Sequence, residues 1–268
     1  MQLPELNSLF TFIVTTLILF IIITGRYFVV AGLFYFIFHK WFKTKWFSRK
    51  INLKDYKSGQ FRSEVLWSML TGLIFSIAGT FTFWLWQKGF TKIYVDPLHH
   101  GWLYLPVSLL ILMFVHETYY YWLHRWMHKP AIFKIVHKVH HNSNITSPFT
   151  AFSFHPLEGI LQAVFLPAML LLLPLHYSVI LLQLTIMTIS SVINHLDIEI
   201  YPGAYEKNIF ARWVIGATHH SLHHKQFRYN FGLYFTFWDK LKRTESPEFR
   251  QKFNGVKNNK IAVMNTNP

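Results

Sequence analysis

Three long apolar runs decide what this chain can become. The first extends from Leu9 to Phe38, interrupted only by Gly25 and Arg26; the second covers about Val65 to Trp86 and the third about Trp102 to Tyr121. Crossing a hydrocarbon core takes about 20 mostly uncharged helical residues, because within lipid a helix satisfies every backbone N–H and C=O internally. At about 1.5 Å per residue the first run exceeds one bilayer core, so it is either one tilted helix or a span followed by an interfacial segment. It has neither a basic start nor a small-residue cleavage site and is expected to stay as an anchor. With 52% hydrophobic and only 14% charged residues, the composition fits an integral, multi-pass membrane protein.

Charge then orients the spans. Lys40, Lys43, Lys45, Arg49, Lys50, Lys54, Lys57 and Arg62 follow the first run, whereas the loop after the second has only Lys88 and Lys92. Cytoplasmic loops carry the excess of Lys and Arg, so the 39–62 loop is expected in the cytoplasm. The same placement explains the net charge of +14 without a nucleic-acid partner, and none is expected. The third run returns the chain to the cytoplasmic side just before His124. From Leu157 to Ile193 a further apolar region is broken at Pro174, which predicts two short helices dipping into the membrane as a hairpin. No alternation persists long enough for a sheet. The expected fold is an all-α membrane bundle with a helical cytoplasmic cap. Residues 1–104 form its N-terminal transmembrane region, 105–244 a histidine-rich region with the hairpin, and 245–268 a polar tail expected to be disordered.

Histidine carries the chemistry. The chain has no cysteine, so thiolate sites and disulfides are excluded and any metal must be held by His, Asp or Glu. "HRWMH" contributes His124 and His128, "HKVHH" His137, His140 and His141, and "HSLHH" His220, His223 and His224. Spacings of three and four put such residues on one helical face. Eight imidazoles are too many for one four-coordinate ion and suit two. By ligand type they fit iron, zinc, copper or nickel. His155, His195 and His219 are further candidates between the boxes. A lone histidine on an apolar face is more often hydrogen-bonded than ligating, and His39, His99, His100 and His176 are read that way, with His116 left open. A metal-bound imidazole needs an acceptor for its other nitrogen. Glu117, seven residues before His124, is a candidate, as are Asp197 and Glu199; Asp239 is expected to pair with a nearby Arg or Lys.

The stretch "YYYWLHRWMHKPAIFKIVHKVHHNSNITSPFTAFSFHPLEG", then "NH" and "ATHHSLHHKQFRYNFGLYFTFWDKL", resembles the fatty acid hydroxylase superfamily, and within it the sterol C5-desaturase branch. The resemblance covers roughly residues 105–244 in the same box order. It implies a non-haem di-iron centre, two Fe ions, that uses O2 to hydroxylate or desaturate a lipid. The implied ligands are His124, His128, His137, His140, His141, His195, His220, His223 and His224. Glu117, His155, Asp197 and His219 are implied to lie in the surrounding shell, or the two histidines to ligate. An electron donor such as a b-type cytochrome or a ferredoxin with its reductase is also implied, since the chain has no GxGxxG and no haem motif. Where eukaryotic members often read "SHAFHP" this chain reads "AFSFHP", with Phe152 in place of the first histidine, so the lipid could be a sterol, a fatty acyl chain or an isoprenoid. Two other classes compete with an oxidase. A non-catalytic membrane metal-binding or transport protein would place its ligands near the midplane of the spans, and a zinc hydrolase would carry HExxH.

Overall fold

Ser8 opens the first helix through a reciprocal cap: its hydroxyl accepts from the Thr11 N–H while Thr11 Oγ1 accepts from the Ser8 N–H. Helix α1 then runs from Leu9–Tyr35 and continues through a π-helical turn, Phe36–Trp41, so the first apolar run is one continuous helix. The computed structural model describes residues 5–202 and 211–264. A short helix α2 (Lys43–Phe47) and a loop lead to α3 (Gln60–Gln87), which returns antiparallel to α1, the Leu6 N–H donating to Gln87 Oε1 at 2.9 Å. At this far end a two-residue strand β1 (Ile93–Tyr94) precedes α4 (Tyr104–Met127), which climbs back towards the histidines.

The short helices α5 (Pro130–Val136) and α6 (Lys138–His141) follow. The hairpin then descends through α7 (Pro156–Ala163) and α8 (Phe165–Leu172), turns around Pro174, pairs strand β2 (Leu175–His176) in parallel with β1, and returns as α9 (Tyr177–Asn194). Beyond it lie α10 (Ala217–Gln226), α11 (Phe237–Leu241) and α12 (Phe249–Met264). Among the described residues three helices are long and apolar enough to cross a membrane: Leu9–Trp41, α3 and α9. The third apolar run differs from expectation. Helix α4 has the length, but His116, Glu117 and four tyrosines dilute its apolarity, and α9, the return arm of the hairpin, meets both criteria instead.

Small side chains bring α1 and α3 together. Ser68, Gly72, Ser76 and Thr80 recur every fourth residue of α3 and are all buried, the small-xxx-small pattern that lets helix backbones approach closely in lipid. Thr16 on α1 donates to Thr80 Oγ1 at 2.9 Å, and a Cβ added at Gly72 would overlap Thr24 Cγ2. The polar tail also differs from expectation. Phe249, Phe253 and Val256 fall at i, i+4 and i+7, and this apolar stripe folds as α12, burying Phe253 and Val256. Residues 265–268 of the expected disordered tail lie outside the described residues.

Glu64, buried near the start of α3, locks the loop after α6 in place. Its carboxylate accepts from Gln60 Nε2 (2.8 Å), Ser143 Oγ (2.7 Å), Ser147 Oγ (2.6 Å) and Thr150 Oγ1 (2.7 Å). Replacing it strands several buried donors at once. Glu64→Ala is expected to cost about 3 kcal/mol or more, read as a lowered melting temperature of the purified protein; a melting temperature equal to wild type would refute this role.

Candidate metal centre

The ends of α1, α4 and α9 and the start of α3 meet at one end of the bundle, and the three boxes close over them. In an α-helix successive residues turn by about 100° and residues four apart by only about 40°. His124 and His128 therefore point the same way, as do His220 and His224. The neighbours His140 and His141 diverge, and so do His223 and His224. Each HxxHH box is thus split between two clusters rather than presenting a single face.

His124, His128, His137, His141 and His223 form one cluster; His140, His195, His220 and His224 form the other. Within each, the candidate ligand atoms all lie within 4.8 Å of one another. These nine are the histidines that the resemblance implied. His128 is partly buried and the other eight are buried. His116 lies outside both clusters, its Nδ1 2.8 Å from Tyr234 Oη and 2.9 Å from Gln183 Nε2. His39 reaches the Leu196 carbonyl and His176 the Val95 carbonyl, as hydrogen-bonded residues should.

Nitrogen positions test whether a cation fits. In the four-histidine cluster the Nε2 atoms of His140 and His195 lie 3.2 Å apart, those of His195 and His220 3.0 Å, and those of His220 and His224 3.2 Å. His195 Nδ1 sits 2.7 Å from the Ser191 carbonyl and must donate to it, leaving Nε2 a lone pair in the neutral ring. His220 would then have to direct one N–H at both His195 and His224. Protons cannot satisfy all three contacts, whereas one cation satisfies all four lone pairs. Imidazole–metal bonds of about 2.1 Å place neighbouring ligand nitrogens roughly 3.0–3.4 Å apart, matching the spacing here. The five-histidine cluster repeats it, with His124 and His137 Nε2 3.1 Å apart and His141 and His223 Nε2 3.1 Å apart.

Some outer nitrogens are held by acceptors, whereas Nδ1 of His141, His220 and His224 has no hydrogen-bond partner. His124 Nδ1 donates to the Phe231 carbonyl (2.8 Å) and His223 Nδ1 to the Tyr229 carbonyl (2.7 Å), so Nε2 is the free lone pair of each. His137 Nδ1 lies 2.9 Å from Glu158 Oε1. Burial, reinforced by the neighbouring imidazoles, holds His137, His140, His141, His220, His223 and His224 well below the ordinary imidazole range and so keeps them neutral.

Comparison with known proteins agrees with this geometry. Residues 109–244 match the Fatty acid hydroxylase family. The chain belongs to that family. Its relatives put it in the sterol desaturase branch: it is 32% identical to the Lathosterol oxidase of Rattus norvegicus over 190 residues, 70% of this chain and 62% of that protein. The Delta(7)-sterol 5(6)-desaturase of Candida albicans is 31% identical over 239 residues, 88% of this chain and 56% of that protein. The chain therefore spans less than two thirds of the length of these relatives. No solved structure matches it.

The four shell residues named from the sequence make different contacts. Glu117 shares a face with His124 but lies seven residues away, about 10 Å along the helix axis. Its carboxylate accepts instead from the N–H groups of Leu233, Tyr234 and Phe235, at 2.7 Å for Tyr234, and so anchors the loop that presents the Phe231 carbonyl. Asp197 accepts from Asn52, and His155 caps α7 by accepting from the Leu157 N–H. Neither ring nitrogen of His219 has a hydrogen-bond partner; its edge packs on Phe249 at 5.4 Å. Glu199 accepts from the Thr218 N–H at the start of α10 (3.0 Å), and Asp239 from the Phe231 and Gly232 N–H groups rather than from Arg or Lys. Glu158, the carboxylate that does reach a cluster, lies within the apolar hairpin. A charge there was the available signal.

Two measurements follow from these contacts. Glu158→Gln is expected to lower metal content roughly tenfold or more at limiting metal, by elemental analysis; unchanged content would refute the link to His137. Folding holds the imidazoles neutral, with His195 lowered to about 4 by burial, while unfolding restores the ordinary value of 6.5. The unfolded state then binds more protons, so stability is complete above pH 6.5 and declines as pH falls towards 4. The melting temperature of metal-free wild type minus that of metal-free His195→Asn isolates this contribution: the difference should be constant above about pH 7 and shrink below about pH 6; a difference independent of pH down to about pH 4 would contradict it.

Proposed function

We propose that this protein is a membrane-bound lipid oxidoreductase of the sterol desaturase type, in which the nine clustered histidines hold two iron ions. The carrying observation is the pair of adjacent, neutral, all-imidazole clusters at one end of apolar helices. The relatives named for sterol oxidation support a sterol-like substrate, with fatty acyl and isoprenoid lipids as alternatives. Iron is favoured over zinc because zinc has no redox chemistry. When bound, iron supplies the reduction of O2 to an oxidant able to break an unactivated C–H bond.

The chain's own residues do the rest. Neutral imidazoles offer lone pairs, and Glu158 and the Phe231 and Tyr229 carbonyls hold the rings in orientation. On the membrane side a small cavity is lined by Phe75, Tyr120, Phe152, Phe154 and Met187 among others. Two of these rings touch the clusters: Tyr120 lies 5.2 Å from His124, and Phe154 lies 5.2 Å from His140. These rings shield both clusters from water and present aromatic surface to a lipid approaching them. Phe152 stacks on Tyr27 at 4.3 Å and adds an apolar ring to a lining that also carries His116, Gln162 and Ser191.

The overall reaction consumes the lipid, O2, two electrons and two protons. Hydroxylation leaves one oxygen atom in the lipid and one in water; desaturation takes two hydrogens from the lipid and leaves both oxygens in water. The electrons come from a b-type cytochrome or a ferredoxin with its reductase. The lysines at the histidine end, Lys40 to Lys57, set against Lys88 and Lys92 at the far end, support a cytoplasmic position for the clusters.

The test is anaerobic purification with metal analysis, and mass spectrometry of membrane lipids from cells with wild type or with His140→Ala/His223→Ala. Wild type is expected to hold about two iron ions and to yield a lipid that has gained an oxygen or lost two hydrogens, absent from the variant. A wild type with no redox-active metal and an unchanged lipid profile would refute the proposal.

A further inference from the structure

Opposite the membrane-side cavity, a cleft of about 540 Å³ opens over the same histidines. Its floor includes His224 of the four-histidine cluster, and one wall is Phe227. The Phe227 ring is 36% exposed and packs 4.8 Å from His141 of the five-histidine cluster. Both clusters are therefore one side chain away from this cleft. Phe227 also has a φ of 63°, a left-handed conformation uncommon for an aromatic residue. Such a backbone persists where the surroundings enforce it, and it clusters at functional sites. Here it caps the C-terminus of α10 and leaves an apolar ring at the cleft wall.

Lys54 and Lys225 line the cleft beside the apolar Ile51, Leu53, Ile145 and Phe227, and outside it Lys57 reaches the Asn142 carbonyl at 3.4 Å. Lys225 is held towards the floor by Asn52, which also donates to the buried Asp197. Lys252 adds a further positive charge close to Lys225. The exposed acidic neighbour in sequence is Asp55, outnumbered by these lysines. The cleft thus combines an apolar lining with lysines at its rim, the arrangement of a protein docking face.

We infer that this cleft is the docking site of the one-electron carrier protein, and that the carrier meets it with an acidic surface around its redox group. The inference rests on the oxidoreductase reading and names its partner face. The carrier gives up one electron per encounter, so two encounters supply the two electrons that each O2 requires. A lysine-lined rim steers an acidic partner by long-range attraction, which sets association rate and salt dependence. The exposed Phe227 ring and the His224 floor bring the partner's redox group within a short distance of both clusters.

The test uses the full-length, iron-loaded protein in lipid nanodiscs. Two acidic probes, the soluble haem domain of a b-type cytochrome and a plant-type ferredoxin, are titrated against it at low and physiological salt. At least one probe is expected to bind, more weakly as salt rises. Lys54→Glu, which touches no histidine, should weaken binding roughly tenfold, and Lys54→Glu/Lys225→Glu further. Lys242→Glu, at an exposed lysine over Trp122 outside the cleft, should leave affinity unchanged. Binding of neither probe, wild-type affinity in Lys54→Glu, or an equal loss in Lys242→Glu would overturn the inference. A parallel assay drives wild type with a small chemical reductant. Lipid oxidation there, with Lys54→Glu binding like wild type, sinks the docking site alone; no lipid oxidation sinks the oxidoreductase reading and this inference with it.

Discussion

Nine imidazoles, eight of them buried and His128 partly so, aim their ring nitrogens at two points, and that convergence is the constraint the rest of the molecule answers to. Neutral imidazole has one N–H and one lone pair. Where an outer nitrogen faces a backbone carbonyl, as in His124, His195 and His223, the inner nitrogen can only be a lone pair. Lone pairs packed about 3 Å apart repel unless a cation lies between them. Charging the imidazoles instead would place several positive charges together in a dry interior, which is why their protonation is so strongly disfavoured.

The carboxylates complete this arrangement. Glu64, Glu117, Glu158, Asp197, Glu199 and Asp239 are all buried. Among the described residues none of the six makes an ion pair with Lys or Arg. A buried negative charge without a cation is costly, so Glu64, Glu117, Glu199 and Asp239 are surrounded by N–H and O–H donors instead. Those donors belong to the segments that carry or support the histidines: the loop at 143–150 for Glu64, the loop at 231–235 for Glu117 and Asp239, and the start of α10 for Glu199.

The two faces of the clusters differ in kind. Below them is an aromatic cavity among membrane helices, and above them a lysine-lined cleft. Under the proposed function, lipid and electron carrier would have separate approaches, with the histidine clusters as the layer between. Helix α12 adds support from the outer side, where Phe249 packs on His219 next to the third box and Phe253 is buried. The pattern Phe249, Phe253, Val256 was visible in a segment whose overall polarity suggested disorder, because a single apolar stripe is enough once a partner helix exists to receive it.

Much of the fold and site was legible before any coordinates. Apolar runs of sufficient length imply helices whatever their neighbours, since lipid offers the backbone no other partner. The box spacings imply shared helical faces because the helical repeat is a local property. Pro174 marked the turn of the hairpin for an equally local reason, its missing N–H. The choice of acceptor for each ring was not local. Glu117 looked like a partner of His124 by helical phase, yet axial distance gave that role to the Phe231 carbonyl, 107 residues away in sequence, and the role beside His137 to Glu158. The sequence by itself determined the helices, the hairpin and the identity of the nine histidines. How those nine divide into five and four, and which carboxylate reaches a ring, emerged only from the packed fold. Those depend on where distant segments pack, and no spacing along the chain encodes that.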